Sequence, residues 1–518
     1  MATVLDDPLH FRPISTNPTK KWEKELTTCL RKDLLEKGHI SKTLYFFLRP
    51  SDSHLPKLYG LPKIHKEGAP LRPIVSAIRS FNYNLGKLLV WLLSPYMTTC
   101  DSYIKNSVDF AKFQLESRPG YSKQGSFDVK SLFTNVPIKE AVELAVELVT
   151  QDANRRLDFP KETLFTLFKF ATEYCCFEFM GDLYLQTDGL SMGNPLAPPL
   201  SHLFMVKIET RALDLGIRFI VWKRYVDDIY IRLQKRDFDR IPEILTSLNS
   251  ILRSIEFTAE KETNSQLPFL QVRTTKPDGN FKNYETTVYR KPTHTNLYIR
   301  WDSAHPPSQK LGVFRTLLWT ARNICSTKKL YELEKAHLLQ VFKELGYPSD
   351  RLQWVINKIE HPTFGPKNRC NSVNLTLPYI EGTSEKIASL WKKLVKKYEL
   401  TDISTAVTYR PISKLKSLLV KPYEKDFEGQ CVYKATCEEC GQIYIGETGL
   451  FLSSRVKSHE NSHNSALKGH CQGVRGFRFA QIARCHNASQ RKIRESVEIR
   501  ENKPQLNENS GFLPYIFT

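Results

Sequence analysis

Acidic residues at two places in the chain, each inside a strand-like apolar stretch, constrain this sequence more than any other feature. The first is Asp128, in Phe127-Asp-Val-Lys-Ser-Leu-Phe-Thr-Asn-Val136, and the second is the pair in Tyr225-Val-Asp-Asp228. Two β-rich runs meet at that pair, which predicts a β-hairpin. Carboxylates at a rigid turn, facing another carboxylate on a neighbouring strand, can hold two Mg²⁺ ions that clamp the attacking and leaving oxygens of a phosphoryl transfer.

An Asp-Asp pair alone is most often a solvated turn, so the segments around it matter. In chain order they are Leu58-Tyr-Gly-Leu-Pro-Lys-Ile-His-Lys66, Leu71-Arg-Pro-Ile-Val-Ser76, Gly189-Leu-Ser-Met-Gly-Asn-Pro-Leu-Ala197 and Val288-Tyr-Arg-Lys-Pro292. With the acidic segments between them, they resemble the fingers, motifs A, B and C and the primer grip of a reverse transcriptase. The first two together resemble, more particularly, the reverse transcriptase of Penelope-like retroelements. The implied fold is a multidomain α+β right-hand polymerase with fingers, palm and helical thumb.

The resemblance implies roles for the acidic segments. Asp128 and Asp227 are the expected principal Mg²⁺ ligands, with Asp228 as a supporting acid. Val129 would lend its backbone carbonyl. Phe133 falls where reverse transcriptases screen the 2′ carbon of the sugar, and a bulky ring there would clash with a ribonucleotide 2′-OH. This position therefore favours DNA synthesis.

Other residues are expected to hold the substrates. The candidates for contact with the triphosphate, the nascent base pair or the primer are Arg72, Lys63, Gly193, Asn194, Pro195, Tyr289 and Arg290. Arg72 is the predicted triphosphate clamp because a guanidinium binds phosphate in a bidentate fork and keeps its charge, and Lys63 is a second candidate. The Gly-Asn-Pro turn departs from the Gln-Gly of retroviral enzymes. Tyr289 and Arg290 resemble the primer grip.

The charge balance fits a protein that holds a polyanion. Lys and Arg outnumber Asp and Glu by 75 to 55, which gives a formal net charge of +20. The excess is spread along the chain, as expected for an extended nucleic-acid groove, although a merely basic soluble protein would show it too. A chain of 518 residues that is 41% hydrophobic exceeds one core, so two to four domains are expected.

The sequence predicts neither a membrane-spanning nor a secreted protein. The longest apolar stretch, Leu85 to Tyr96, is interrupted by Lys87 and is too short to cross a bilayer. The first residues lack the charged and apolar regions of a secretory signal. Eleven cysteines without a regular framework favour a reducing compartment. The expected location is intracellular, and the nucleus is inferred from the substrate.

Motifs and apolar periodicity predict the domain organisation. The expected parts are an N-terminal helical extension (1-45), fingers and palm (46-300), a helical thumb (301-400), a linker (401-428) and a second catalytic domain (429-518). Within the thumb, residues 384–398 predict an amphipathic helix. Its apolar positions Ile387, Leu390, Trp391, Leu394 and Tyr398 are expected to face a core, and its lysines solvent or a phosphate backbone.

Residues 429–518 carry a second set of catalytic residue types. Two β-type runs, Val432-Tyr-Lys434 and Ile443-Tyr-Ile-Gly446, precede Arg455 and His459 on a predicted helix. This pattern resembles a GIY-YIG endonuclease whose first tripeptide is altered to Cys-Val-Tyr. Penelope-like elements of the endonuclease-bearing type join these two domains in this order.

The endonuclease resemblance implies a role for each residue of this set. The residues are Tyr433, Tyr444, Arg455, His459, Glu495 and Asn507. Glu495 would bind a single Mg²⁺, and Arg455 would neutralise the phosphate in the transition state. One of the two tyrosines, helped by the histidine, would position or deprotonate the attacking water. Asn507 corresponds to the closing asparagine of the family and is a candidate substrate contact.

Cys437-Glu-Glu-Cys440, between the two tripeptides, has the spacing of a zinc knuckle. One such pair is half of a zinc site. His470 is the first candidate partner, and Cys471 and His463 are the others. The alternative is a tight turn with two free thiols.

Together the motifs predict the RNA-directed DNA polymerase of a Penelope-like retrotransposon, whose GIY-YIG endonuclease nicks DNA and so supplies a 3′-OH for target-primed reverse transcription. The implied partners are template RNA, target DNA, a DNA primer and dNTPs, with Mg²⁺ and, at the knuckle, Zn²⁺. Two alternatives stay open. One is extension of pre-existing 3′ ends, as at telomeres, with a dispensable nuclease. The other is a catalytically inactive nucleic-acid-binding derivative.

Overall fold

The computed structural model describes residues 5–51, 53–64, 68–98, 100–214, 216–277, 282–362, 372–398, 404–410, 429–462, 465–471, 473–485 and 488–507. These residues form a mixed α/β structure with several separate apolar clusters, as expected for a multidomain chain. Among them, no helix combines the length and the apolar character that a membrane crossing requires.

Strands and helices are interspersed along the whole described chain. The strands are β1 (Phe11–Ile14), β2 (Leu58–Pro62), β3 (Leu71–Val75), β4 (Ser122–Val129), β5 (Cys175–Phe179), β6 (Asp182–Gln186), β7 (Val221–Tyr225), β8 (Asp228–Gln234), β9 (Phe257–Lys261), β10 (Gln266–Phe269), β11 (Val272–Thr275), β12 (Glu285–Val288), β13 (Ser372–Pro378), β14 (Ser404–Arg410), β15 (Gly429–Cys437), β16 (Ile443–Phe451) and β17 (Phe477–Arg484). The α-helices are α1 (Thr19–Cys29), α2 (Lys42–Leu48), α3 (Tyr83–Leu93), α4 (Ser107–Leu115), α5 (Leu132–Asn135), α6 (Ile138–Gln151), α7 (Lys161–Thr172), α8 (Ala197–Asp214), α9 (Lys235–Phe238), α10 (Ile241–Ile251), α11 (Pro307–Ile324), α12 (Lys328–Glu344), α13 (Ser349–Glu360), α14 (Thr383–Lys397), α15 (Leu452–Asn461) and α16 (Ala488–Asn502).

A four-stranded antiparallel sheet with the order β7-β8-β4-β9 carries the acidic residues. The predicted hairpin is confirmed, because β7 and β8 are adjacent and Tyr225 pairs with Asp228 across a two-residue turn. Side chains that alternate along β4 and β8 enter the largest apolar cluster, together with the buried face of α6. Since one sheet face is covered in this way, the register of the strands is fixed.

The N-terminal segment is part of a sheet as well as helical. Helix α1 continues into a π-helical turn over Leu30–Leu35, as the predicted helical extension requires. Strand β1, however, pairs antiparallel with β6, more than a hundred residues further along the chain. Residues 1-45 are therefore not a separate extension, since β1 completes the sheet β1-β6-β5.

Three helices, α11, α12 and α13, enclose an apolar cluster of their own. Phe342 lies at its centre, fully buried, and its ring stacks on Tyr298 and contacts Phe314 and Tyr347. Helix α12 ends just before Gly346, whose φ of +84° permits the left-handed turn that a helix C-terminus favours.

Residues 372–410 differ from the prediction. Strands β13 and β14 pair in parallel, with α14 between them in the chain. The expected linker at 401-428 is therefore partly wrong, because it includes β14. Residues 411–428 lie outside the described part of the chain. Four apolar positions of the predicted 384–398 helix, which were expected to face a core, are exposed instead: Ile387, Leu390, Leu394 and Tyr398. A helical period identifies an apolar face but not a partner for it.

The C-terminal unit is a three-stranded antiparallel sheet with the order β16-β15-β17. Helix α15 follows β16, and α16 follows β17. The two predicted β runs and the predicted helix that carries Arg455 and His459 are confirmed. This arrangement brings residues from β15, β16, α15 and α16 to one place.

We expect Phe342→Ala to destabilise the three-helix cluster by about 3–5 kcal/mol, because truncating a fully buried phenylalanine leaves a cavity. Native-state hydrogen exchange of the α12 amides measures this change. Leu333→Ala, on the same helix but with 61% of the residue exposed, is the matched control and should leave exchange unchanged. Equal protection in both variants would contradict a core centred on Phe342.

Candidate active sites and metal centre

The sheet brings the three predicted acids together. In the pairing of β4 with β8, Asp128 lies directly opposite Asp228. Asp227 lies in the hairpin turn, and its carbonyl accepts a hydrogen bond from the Val129 amide at 3.3 Å. The preceding residue, Val226, has a φ of +55°, which is costly for a β-branched residue. Asp227 and Asp228 therefore lie at a hairpin turn that the surrounding structure holds in a strained conformation, and Asp128 faces them from β4.

The electrostatics of this group favour a divalent cation. Burial, with repulsion from Asp227 and Asp128, raises the pKa of Asp228 to about 7. Burial and the charge of Asp128 also raise the pKa of Asp227. Buried carboxylates that repel one another are stabilised by a bound metal ion. The residues present therefore fit Mg²⁺ held by oxygen ligands.

A cavity of about 390 Å³ lies in front of the acids. Its lining includes Asp128 and Asp228 on one side and Tyr289 and Lys291 on another. The positive charge of Lys291 lowers the pKa of Asp228 and so partly offsets the burial. The predicted primer residue Tyr289 is thus in the site, together with a lysine that the sequence motifs did not indicate.

Arg290 is engaged elsewhere. Its guanidinium forms a two-pronged ion pair with Glu334 of α12. This pair joins the end of β12 to the helical cluster, and the primer contact of Arg290 stays a prediction. In an extended segment alternate side chains share a side. Tyr289 and Lys291 consequently face the cavity, and Arg290 does not. The alternation of side chains along the Val288–Pro292 segment would have indicated Lys291 from the sequence.

The two predicted anion-binding residues, Arg72 and Lys63, influence the charge state of the acidic turn, which is the hairpin turn with Asp227 and Asp228. Arg72 lies on β3 and Lys63 follows β2. The positive charges of both lower the pKa of Asp227, against the effect of its burial. Cations close enough to influence the metal-binding acids are well placed to hold the phosphates of a nucleotide.

The Gly193-Asn-Pro195 turn is packed against β3. Gly193 has a φ of +123°, and a side chain there would collide with the carbonyl of Val75. Asn194 uses its amide internally, because Nδ2 donates to the Ala171 carbonyl at 2.6 Å and Oδ1 accepts from the Leu196 amide at 2.9 Å. The side chain of Asn194 therefore holds the turn, and its contact with substrate stays a prediction.

Two further predicted residues lie beside this turn. The ring of Pro195 lies against Gly86 of α3, so Pro195 also packs the turn onto the fold. Phe133 packs, partly buried, against the main core. Its carbonyl accepts a hydrogen bond from the Leu190 amide at 2.6 Å. Its role as a sugar screen stays a prediction.

The C-terminal unit brings together the second predicted set. Tyr433 is fully buried on β15, and its hydroxyl lies 2.7 Å from Nε2 of His459 and 3.3 Å from Nε of Arg455. The ring of Tyr444 lies 6.3 Å from that of Tyr433 and 5.7 Å from that of His459, between centroids. Burial and the charge of Arg455 lower the pKa of His459 to about 4. The imidazole is therefore neutral near pH 7 and can share a hydrogen bond with the Tyr433 hydroxyl.

Glu495 on α16 completes this site. Burial and repulsion from Glu447 raise its pKa, while the charge of Arg455 lowers it. Glu447 is itself paired with Arg491, whose Nε donates to Oε2 at 2.6 Å. The motifs assign no role to Glu447, although it directly follows the Tyr-Ile-Gly run. A buried carboxylate next to a second one again fits a divalent cation.

Asn507 has a structural role. Its Nδ2 donates to the Ile445 carbonyl at 2.7 Å, and its Oδ1 accepts from the Ile445 amide at 2.9 Å. Strand β16 is an edge of its sheet, so Asn507 satisfies backbone groups that would otherwise lack partners. These bonds hold the edge strand, and the contact of Asn507 with substrate stays a prediction.

Four potential zinc ligands cluster at the knuckle. The ligand atoms of Cys437, Cys440, His470 and Cys471 all lie within 4.8 Å of one another. The structure thus adds Cys471 to the three residues predicted first, whereas His463 lies outside the described residues. Three thiols and one imidazole are a typical donor set for tetrahedral structural zinc. The alternative of two free thiols does not explain why the second pair converges on the first.

Comparison with known proteins gives one family match. A model described as an animal helix-turn-helix domain matches residues 297–357, which include α11, α12 and most of α13. The match covers a small part of the chain and does not reach either candidate active site. A search of curated proteins finds no match.

Solved structures give likenesses at low sequence identity. Telomerase from Candida albicans, in complex with a fragment of telomeric RNA, is 11% identical with a TM-score of 0.42, covering 70% of this chain and 64% of that one. Sicinivirus 3Dpol RNA-dependent RNA polymerase is 14% identical with a TM-score of 0.38, covering 62% and 71%. Truncated apo telomerase from Candida tropicalis is 12% identical with a TM-score of 0.35, covering 44% and 54%.

The chain spans between about half and two thirds of the length of these two telomerases. With TM-scores below 0.5, the likenesses do not decide the chemistry. That question rests on the residues of the two sites.

We expect Asp228→Asn to raise the melting temperature of the metal-free protein at pH 8 by about 2–4 °C, the shift that roughly 1 kcal/mol produces in a domain of ordinary size. Because the pKa of Asp228 is raised to about 7, the fold loses stability as the pH rises from the ordinary carboxyl pKa toward 7, and the full loss is present above that value. The gain should therefore shrink at pH 5.5, where the wild-type carboxyl is protonated.

Differential scanning fluorimetry with and without Mg²⁺ measures this effect. Mg²⁺ should raise the melting temperature of wild type more than that of Asp228→Asn. Asp239→Asn, at an exposed acid close in sequence, is the control. A variant that is less stable than wild type at pH 8, or equally stabilised by Mg²⁺, would contradict the predicted metal-binding acid.

We expect Cys440→Ser to remove about one equivalent of zinc from the purified protein, because the site loses one of its four ligands. Inductively coupled plasma mass spectrometry measures the content. Cys485→Ser, at a buried cysteine of the same unit outside the cluster, should retain wild-type zinc. Unchanged zinc in Cys440→Ser would exclude the metal centre.

Proposed function

We propose that this chain is a nucleic-acid polymerase of the reverse-transcriptase type, joined to a metal-dependent DNA endonuclease. One observation carries the polymerase: Asp128 faces Asp228 across a sheet, with Asp227 in the adjoining turn, before a cavity that also holds Tyr289 and Lys291. In this proposal residues 46-300 are fingers and palm, 301-400 the thumb and 429-518 the nuclease.

The residues divide the polymerase reaction between them. A primer 3′-hydroxyl attacks the α-phosphorus of a nucleotide, and pyrophosphate leaves. Arg72 and Lys63 hold the triphosphate, while Tyr289 and Lys291 line the cavity on the primer side. Mg²⁺ held by Asp128, Asp227 and Asp228 would stabilise the charge that develops on the reacting oxygens.

The finer assignment rests on the sequence motifs. The order of segments from Leu58 to Pro292, followed by the endonuclease pattern, resembles Penelope-like retroelements. Phe133, at the position that screens the sugar, favours deoxynucleotides. We therefore propose RNA-directed DNA synthesis, with template RNA, a DNA primer and dNTPs as partners.

The nuclease mechanism follows from the hydrogen bonds around Tyr433. The Tyr433 hydroxyl lies 2.7 Å from Nε2 of the neutral His459, which holds the tyrosine in place. Burial raises the pKa of Tyr433, so the hydroxyl stays protonated and positions the attacking water by a hydrogen bond. Arg455 lies against the same hydroxyl and can hold the scissile phosphate. Glu495 would hold Mg²⁺, which would stabilise the leaving oxygen. The product is a nick with a 3′-hydroxyl.

The helical cluster matched by the helix-turn-helix model is proposed to hold the nucleic acid. Trp319 on α11 and Trp354 on α13 are each 51% exposed. The ammonium of Lys358 lies 3.9 Å from the ring centroid of Trp354. Helix α11 contains no acidic residue. Exposed aromatic rings beside cations form a surface on which bases stack and phosphates bind.

The deciding experiment supplies labelled dNTPs, an RNA template, Mg²⁺ and closed circular DNA as the only source of primer. Wild type should join labelled DNA covalently to the plasmid, because the nick made by the nuclease becomes the primer. Asp227→Ala should nick without incorporation, since it lacks a metal-binding acid of the polymerase. Glu495→Ala should extend an annealed primer but neither nick nor label the plasmid. Denaturing gels resolve both products.

Exposed acids provide the controls, Asp239→Ala for the polymerase and Glu501→Ala, on the same helix as Glu495, for the nuclease. Both should behave as wild type. Incorporation from an annealed primer alone, or from the plasmid in Glu495→Ala, would leave a polymerase that extends existing 3′ ends and overturn the coupled pathway. A wild type that binds but neither cuts nor extends would leave only a binding protein.

A further inference from the structure

A fully buried arginine lies directly behind the acidic turn. Arg224 precedes Tyr225 at the end of β7, and its exposed fraction is 0%. A guanidinium is almost never buried completely unless charged or polar partners compensate for the lost hydration. Its surroundings therefore show what holds it there.

Glu209 of α8 is the main partner of Arg224. The Arg224 Nε donates to Glu209 Oε1 at 2.7 Å, and Nη2 donates to Oε2 at 3.3 Å. The same carboxylate accepts from Nε1 of Trp222 at 2.8 Å and from Oγ of Ser102 at 2.8 Å. Four donors thus converge on one carboxylate, which fixes its orientation.

The third nitrogen of Arg224 reaches the turn. Nη1 donates to the carbonyl of Val226 at 3.3 Å, and Val226 is the residue with the positive φ. Nη1 also lies 3.4 Å from Nδ1 of His202. Burial and the charge of Arg224 lower the pKa of His202 to about 4, so the imidazole is neutral near pH 7 and does not repel the guanidinium.

The backbone of Arg224 is fixed as well. Its amide donates to the Ser102 carbonyl at 2.6 Å, and its carbonyl accepts from the Ile104 amide at 2.9 Å. On the other side of the turn, the Asp227 carbonyl accepts from the Val129 amide. The turn is thus held from β7 and from β4, and the conformation in between is one that Val226 would not adopt unaided.

From these contacts we infer that Arg224 and Glu209 position the acidic turn, so that Asp227 and Asp228 stand ready to bind metal. Neither residue touches the metal or the substrates. The inference deepens the proposed polymerase function and rests on it. A buried ion pair is often replaceable by apolar side chains without loss of stability. A charged pair at this point fits a positioning role, because apolar side chains could not donate a hydrogen bond to the Val226 carbonyl.

The test is the double variant Arg224→Met/Glu209→Met in the full chain. It removes the pair symmetrically and leaves no unpaired buried charge. The melting temperature should stay close to that of wild type. The affinity for Mn²⁺ at the acidic turn, measured by electron paramagnetic resonance as the component that Asp228→Asn abolishes, should fall by about 10–100-fold, as for other residues that orient metal ligands. The kcat for nucleotide incorporation should fall to a similar extent, with little change in KM for the nucleotide.

Two further variants keep the outcome clear. Trp222→Phe removes a donor to Glu209 but leaves the contact of Arg224 with Val226, and should retain wild-type Mn²⁺ affinity. Arg224→Lys keeps the charge opposite Glu209 but lacks the Nη1 group that reaches the Val226 carbonyl. It should lose Mn²⁺ affinity while remaining folded. Wild-type affinity in Arg224→Lys or in the double variant would overturn the inference, even if the other variant does not fold.

Metal binding is measured without nucleic acid, so it separates this inference from the proposed function. Wild type that binds Mn²⁺ through Asp228 yet incorporates no nucleotide would refute the polymerase, and the variants would still decide whether the pair positions the turn. Wild type without an Asp228-dependent Mn²⁺ signal would overturn both.

Discussion

The antiparallel pairing of β4 with β8 is the interaction on which the candidate polymerase site depends. It places Asp128 opposite Asp228, although a hundred positions separate them in the chain. A slip of one residue would turn one of these side chains to the other face of the sheet. The apolar residues that alternate with the acids prevent this slip, because they are buried in the main core. Core packing and chemistry are therefore set by the same register.

Both candidate active sites concentrate groups that weaken the fold locally. In the first, like charges and a strained valine meet at a turn; in the second, Glu495 and Glu447 lie close enough for mutual repulsion to raise the pKa of Glu495. Such arrangements persist only when neighbouring structure holds them. The holding groups are a buried ion pair in one case and the Glu447–Arg491 pair in the other. Each of the two sites thus combines carboxylates that repel one another with a neighbouring ion pair, although they lie on different sheets.

Local patterns predicted much of this structure, and long-range contacts explain what they missed. The hairpin at Tyr225 and the Tyr433–Arg455–His459 group follow from motifs and their spacing, which depend on neighbours in the chain. The pairing of β1 with β6, the exposure of α14 and the ion pair of Arg290 with Glu334 do not, since each depends on a distant partner. Lys291 could have been predicted, because it directly follows Arg290 in the Val288-Tyr-Arg-Lys-Pro292 segment. No sequence pattern indicated the pairing of Arg224 with Glu209, because a buried ion pair between residues on different elements is recognised only once the fold is known.

Gly193 has a consequence for how the chain tolerates change. Because Gly193 has no side chain, the Gly193-Asn-Pro195 turn can pack against the carbonyl of Val75, at the end of the strand that carries Arg72. The Val75 amide in turn donates to the Met192 carbonyl at 2.8 Å. These contacts join the turn to the β2–β3 hairpin. Under the proposed function, a residue larger than glycine would therefore displace the Arg72 guanidinium from the triphosphate, and a mutational screen would score position 193 as a nucleotide-affinity residue.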